Sequence, residues 1–131
     1  MLRSILAVVL GYAAMMVSTM LVVYLLSVGF GVMSESEAAA LPTAYVVANL
    51  AGGLACAMLG GFVAAWRAPR APRMHAVVLA CLVFILGVLY GLTAERGAQP
   101  TWYLALLPLL AAGGALLGGL IAPTGRTSRA T

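Results

Sequence analysis

Charged residues interrupt this chain at only a few places, and between them run four long uncharged windows. Residues 4–34, 38–66, 74–94 and 97–125 contain no Arg or Glu and are 31, 29, 21 and 29 residues long. A helix rising 1.5 Å per residue needs about 20 residues to cross a hydrocarbon layer of about 30 Å, so each window is long enough to span one. A membrane-spanning strand would instead alternate polar and apolar positions over about ten residues. Residues 79–89 show no such alternation. Inside a bilayer the backbone must satisfy its own hydrogen bonds, which leaves helices as the solution. The pattern predicts four of them, near residues 4–28, 43–66, 74–93 and 101–122, forming one membrane domain over 1–131 with a flexible tail from 123. The longest connection, residues 29–40, is expected to begin as a continuation of helix 1.

Composition agrees. The 131 residues are 64% hydrophobic and 8% charged, with a mean hydropathy of +1.11. A soluble domain carries roughly a quarter of its residues charged, so the expected class is an all-α integral membrane protein.

The few charges then suggest an orientation. Arg3, Arg67, Arg70, Arg73, Arg126 and Arg129 fall on one side of the four spans and Arg96 on the other. The positive-inside rule makes the first side cytoplasmic, with both termini inside a bacterial-type inner or plasma membrane. Glu35, Glu37 and Glu95 lie on the opposite side. Arg67, Arg70 and Arg73 suit anionic lipid headgroups, and their alternation with Pro69 and Pro72 predicts a short, stiff, extended loop. Basic residues spread this thinly at helix ends do not suggest nucleic-acid binding. The apolar stretch from Ile5 to Val28 is also much longer than the core of a cleaved signal peptide, so helix 1 is expected to stay in the protein. Tyr24, Tyr45, Tyr90, Trp102 and Tyr103 toward one side, and Trp66 on the other, read as interfacial anchors.

Helices 2 and 4 resemble each other at an offset of 58 residues. Pro42, Thr43 and Tyr45 match Pro100, Thr101 and Tyr103, and Ala57, Leu59, Gly60, Gly61 and Ala64 match Ala115, Leu117, Gly118, Gly119 and Ala122. A duplication would make the fold a 2+2 parallel repeat about an axis along the membrane normal. Local physics also favours such an entry, because Pro suits a first helical turn, Thr a cap and Tyr an interface.

Small residues mark the expected contacts. Helix 2 presents Gly52, Gly53, Cys56, Ala57, Gly60 and Gly61, and helix 4 presents Gly114, Gly118 and Gly119. With no hydrophobic drive between helices in lipid, close backbone approach across small side chains supplies packing. Asn49 is the one strongly polar side chain well inside a span. Counting residues from Arg3 puts Ser18 and Thr19 near its depth, so an intramembrane polar contact among Asn49, Ser18 and Thr19 is expected. Pro108 interrupts the hydrogen bonding of helix 4 and predicts a kink. His75 reads as interfacial, and Cys56 and Cys81 as small buried packing residues without metal-ligand spacing.

Function is bounded mainly by what the spans lack. They hold no Asp, Glu, Lys or Arg, which argues against catalysis and ion-coupled transport. No cofactor or metal is expected. Two roles remain. One is an accessory or assembly subunit, or a self-associating structural protein, packing against other membrane helices in a hetero-complex or homo-oligomer. The other is an oligomeric passive channel or carrier for a small neutral solute, with Tyr12, Ser18, Thr19 and Asn49 along its path.

Overall fold

The structure is a computed structural model that describes residues 2–32, 42–93 and 100–123. Four helices account for almost all of it: α1 (Leu2–Gly29), α2 (Thr43–Arg67), α3 (Pro72–Thr93) and α4 (Thr101–Ile121). All four are long and apolar enough to cross a membrane. The sequence-based boundaries hold to within two residues at every helix end. The tail beyond residue 123, Arg96 and the three Glu residues lie outside the described residues.

Each helix end has a local cause. α1 stops where Gly31 takes a φ of 66°; Phe30 N–H donates to Leu26 O at 2.9 Å and Val32 N–H to Ser27 O at 3.0 Å. A left-handed residue that turns the chain back on its last carbonyls is a helix stop, so α1 ends at Gly29; the rest of that connection lies outside the described residues. α2 and α4 start alike. Pro42 and Pro100 are both N-cap residues with extended backbone, ψ 133° and 139°, and neither helix has a side-chain cap. Thr43 and Thr101 are therefore the first helical residues and do not cap.

The loop between α2 and α3 is a tight turn and not the extended rod that its Pro-Arg alternation suggests. Pro72 already belongs to α3, as its fixed φ permits at a helix start. The reversal is completed at Ala71, whose φ is 48°. The Ala71 carbonyl accepts from Met74 N–H at 3.0 Å and faces His75 Nδ1 at 3.1 Å.

The helices alternate in direction. α2 and α4 form the centre, packing extensively on each other; α1 lies along α2 and α3 along α4. α2 also meets α3, whereas α1 and α4 have no close approach and α1 touches α3 least of all. Arg3, Arg67, Arg70 and Arg73 thus share one end, the basic end. Tyr45, Tyr90 and Tyr103 share the other, the tyrosine end.

Packing in the basic half rests on backbone-to-backbone approach. A methyl group on Gly61 would strike the Ala115 carbonyl, and one on Gly118 would strike the Met58 carbonyl. One on Gly114 would lie 2.8 Å from Leu54 O, and one on Gly60 would lie 2.9 Å from Gly11 O. Gly119 abuts Ala76 of α3. Around these contacts Ala57, Ala64, Leu79 and Ala115 have no exposed surface at all.

Candidate functional site

The tyrosine half is built differently. Here bulkier side chains face inward, with Tyr45, Val46, Leu50 and Tyr103 forming a buried cluster. α1 and α4 make no close approach here. The result is a cavity of about 540 Å³ walled by all four helices. Its lining runs from Tyr45 to Leu54 on α2 and from Tyr103 to Ala111 on α4, about 13 Å along the axes at 1.5 Å per residue. Toward the basic end it meets Tyr12, Met15, Val83 and Ala111, which pack on the small-residue core below.

Among the described lining residues three are exposed. They are Met20 of α1 at 64% and Leu86 and Tyr90 of α3 at 41% and 48%; all the others are buried or half-buried. The cavity therefore opens between α1 and α3, the two helices that touch least.

Polar groups along its wall lack internal partners. Among the described residues Tyr12, Asn49, Tyr90 and Tyr103 all line the cavity, and none of their side chains makes a hydrogen bond. Thr19 also borders it, with a buried hydroxyl that has no partner. Tyr45 is the satisfied member of the group, its hydroxyl 3.2 Å from Ser27 Oγ of α1. Phe30 stands edge-on to the Tyr45 ring, with centroids 5.9 Å apart. Among the described residues no charged one lines the cavity, and no group of His, Cys, Asp or Glu is arranged to hold a metal.

The expected contact among Asn49, Ser18 and Thr19 is not made. Gly11 meets Gly60 and Ala64, and Gly52 meets Val22, so residues paired across α1 and α2 have numbers that add to about 74. That register sets Asn49 level with Tyr24 and Leu25. Ser18 and Thr19 lie level with residues 55 and 56, about 9 Å nearer the basic end. Counting from Arg3 missed this because it set Arg3 level with the basic end of α2, whereas the same register puts Arg3 level with residue 71, beyond the end of that helix at Arg67. Ser18 Oγ instead donates to its own helix, to Ala14 O at 2.8 Å or Met15 O at 3.0 Å.

The residues assigned to helix packing divide. Gly60, Gly61, Gly114, Gly118 and Gly119 lie against neighbouring helices, Gly52 lies against Val22, and Cys56 and Ala57 are buried. Gly53 has nothing within 4 Å of where a methyl would sit; it is part of the cavity wall. Cys81 is exposed on the outside of α3 and is not a buried packing residue. Tyr45 and Tyr103, expected as surface anchors, are 7% and 6% exposed and face inward. Their recurrence at the 58-residue offset was the signal that could have marked them as internal. Pro108 is buried and packs on α3, where a methyl on Gly87 would sit 2.8 Å from its Cβ. Arg67 stacks on Trp66 at 5.1 Å, and Arg67, Arg70 and Arg73 are all exposed at the basic end.

Compared with protein-family models, with curated proteins and with solved structures, the chain matches none.

Proposed function

We propose that this chain is a non-enzymatic multi-pass membrane protein that takes up a small, uncharged, largely apolar molecule in the cavity of its tyrosine half. The observation that carries this reading is the set of unpartnered polar groups on an otherwise apolar wall. Asn49, Tyr12, Tyr90 and Tyr103 keep their hydrogen-bonding groups free toward the cavity, where a polar group without a partner costs about 1–3 kcal/mol once water is excluded and a hydrogen-bonding occupant would offset that cost. A few convergent polar groups in an apolar cleft of 300–1,000 Å³ is the usual form of a small-molecule site. That none of the described lining residues is charged favours passive uptake over ion coupling.

The test is ligand-dependent stability. A compound at a hundred times its Kd raises the stability of the purified chain by about 2.7 kcal/mol. Neutral apolar compounds should raise the melting temperature of the wild type and leave Gly53→Phe, whose cavity is filled, unmoved. Equal responses of the two proteins to every compound would sink the reading.

The second reading is an accessory or assembly subunit, or a self-associating one. The glycine faces first assigned to it are occupied inside the chain, but Ala51 and Ala55 on α2 are exposed and Gly113 on α4 has open space around it. A partner helix would approach closely there. A stoichiometric complex surviving gentle extraction, seen by native mass spectrometry, would favour this role.

For the setting, we propose that the basic end faces the cytoplasm of a bacterial-type inner or plasma membrane, placing the cavity in the outer leaflet. The support is the arginine count at that end and the headgroup-accessible Arg67, Arg70 and Arg73. We also read α2 and α4 as copies in a 2+2 repeat, supported by their shared proline entry and parallel course. The α2–α3 contact without an α1–α4 counterpart marks where the copies have diverged, and that divergence leaves the cavity.

A further inference from the structure

We infer that the occupant of the cavity is a single-chain amphiphile with an uncharged, hydrogen-bonding head, and that it enters sideways from the bilayer between α1 and α3. This rests on the cavity being a binding site, as proposed above, and adds the class of ligand and its route.

The first argument is depth. The lining spans about 13 Å on α2 and α4, close to the roughly 15 Å of hydrocarbon in one leaflet. It begins at the tyrosine end and stops on a packed floor near mid-membrane, the course of one acyl chain lying parallel to its neighbours in the leaflet.

The second is polarity along that depth. Tyr45, Tyr90 and Tyr103 lie within the turns nearest the tyrosine end, and Asn49 sits one turn further in. Below them the walls are mostly Met, Leu, Val and Ala, including Met15, Met16 and Leu54. Methionine side chains adapt to a flexible chain. Tyr12 adds a hydroxyl at the side of α1, where a mid-chain oxygen or double bond would lie.

The third is charge. Among the described residues no cationic side chain lines the cavity, so a phosphate or carboxylate drawn in beside them would be desolvated without a counter-ion, a large cost. An amide and phenol hydroxyls each donate and accept, which suits alcohol, ester or amide heads.

The fourth is the opening. The exposed lining residues Met20, Leu86 and Tyr90 all flank the α1–α3 gap. Met20 and Leu86 are apolar and lie within the spans, so a chain passing between them never leaves an apolar medium.

The experiment uses the full chain in nanodiscs with three photoreactive probes sharing one diazirine-bearing acyl chain: a monoacylglycerol, the free fatty acid at pH 8, and a lysophosphatidylglycerol. The monoacylglycerol should label the cavity positions Met15 and Leu54 at least tenfold above the two anionic probes. Asn49→Leu should lower that labelling about tenfold, and Leu86→Trp should slow it severalfold without changing its extent. Gly53→Phe should abolish labelling at Met15 and Leu54 and keep it at Met20. Equal interior labelling by the anionic probes that still vanishes in Gly53→Phe would overturn the ligand class and leave the binding reading standing. An unchanged rate in Leu86→Trp would overturn the lateral route. Interior labelling that survives Gly53→Phe with every probe reports bulk lipid contact, and would overturn both this inference and the binding reading beneath it.

Discussion

The two halves of this bundle use the same four helices to opposite ends. In the basic half, glycine and alanine let backbones meet, and the contacts of Gly61 with Ala115 and of Gly118 with Met58 leave no room for a methyl group. In the tyrosine half, Tyr45, Leu50 and Tyr103 form a cluster of larger side chains, and a cavity of about 540 Å³ lies beside it. A glycine therefore means different things in the two halves. Gly61 lies against a neighbouring carbonyl, whereas Gly53, only eight residues away on the same helix, borders empty space. The difference comes from register: α4 lies close beside α2 at Gly61, while at Gly53 α2 faces the gap left by α1 and α3.

The strongest way to break this contrast is to give the tight half a large side chain. Gly118→Leu would drive a four-carbon side chain into the Met58 backbone, which no rotamer of either helix can relieve. Overpacking ordinarily costs 1–3 kcal/mol, and with backbone as the obstacle the expected loss is about 3 kcal/mol or more. Detergent-solubilised protein should melt far lower or fail to elute as a single species. A variant that melts like the wild type would show that the close approach of α2 and α4 is not what holds the basic half.

The matching change in the loose half should leave the fold intact. Gly53→Phe places an aromatic ring in space already open, so its cost in stability is expected to stay within about 1 kcal/mol, with added apolar contact offsetting helix entropy. Its large effect falls on binding, with any ligand-induced rise in melting temperature disappearing. If Gly53→Phe unfolds the protein as Gly118→Leu does, the two halves are not distinct in the way described.

Much of this architecture could be read from the letters alone. Ten charged residues bounded the spans, and the helix ends followed to within two residues because Pro42, Pro72 and Pro100 stand at or beside helix starts, where proline is tolerated. The cavity was harder to see. Tyr12, Thr19 and Asn49 were named as a path, but their convergence depends on the sliding of α1 against α2, which residue counting from Arg3 misjudged by about 9 Å. Ser18 was misplaced for the same reason. Periodicity of small residues could not separate Gly53 from Gly60 and Gly61, since both kinds of position require a missing side chain and only the neighbour's location tells them apart. Tyr45 and Tyr103 looked like interface anchors because depth is legible in a sequence and facing is not.

A smaller effect sharpens the comparison from the ligand's side. Asn49→Leu replaces an unpartnered amide by a hydrocarbon of similar size on a mostly apolar wall. Removing an unsatisfied polar group is expected to stabilise the empty protein by about 1 kcal/mol, while the uptake of a hydrogen-bonding ligand weakens. Stability and binding thus move in opposite directions, as expected of a residue kept for function. A lower melting temperature without ligand would instead show that Asn49 holds the bundle together.

The smallest expected effect probes the one polar tie between α1 and α2 at the tyrosine end. Ser27 Oγ and the Tyr45 hydroxyl are 3.2 Å apart, a hydrogen bond between spans of the kind worth about 0.6 kcal/mol in a membrane protein. Ser27→Ala and Tyr45→Phe should each lower stability by about that amount, and the double variant should lose little more than either, because both delete the same bond. Binding separates the two. Ser27→Ala leaves the Tyr45 hydroxyl unpartnered beside the cavity, where it can serve the ligand, so affinity should hold or rise slightly. Tyr45→Phe removes the hydroxyl and should not raise it. Additive losses in the double variant, measured by thermal unfolding in one detergent, would mean that the two side chains act separately and that α1 is held against the tyrosine half by apolar packing alone.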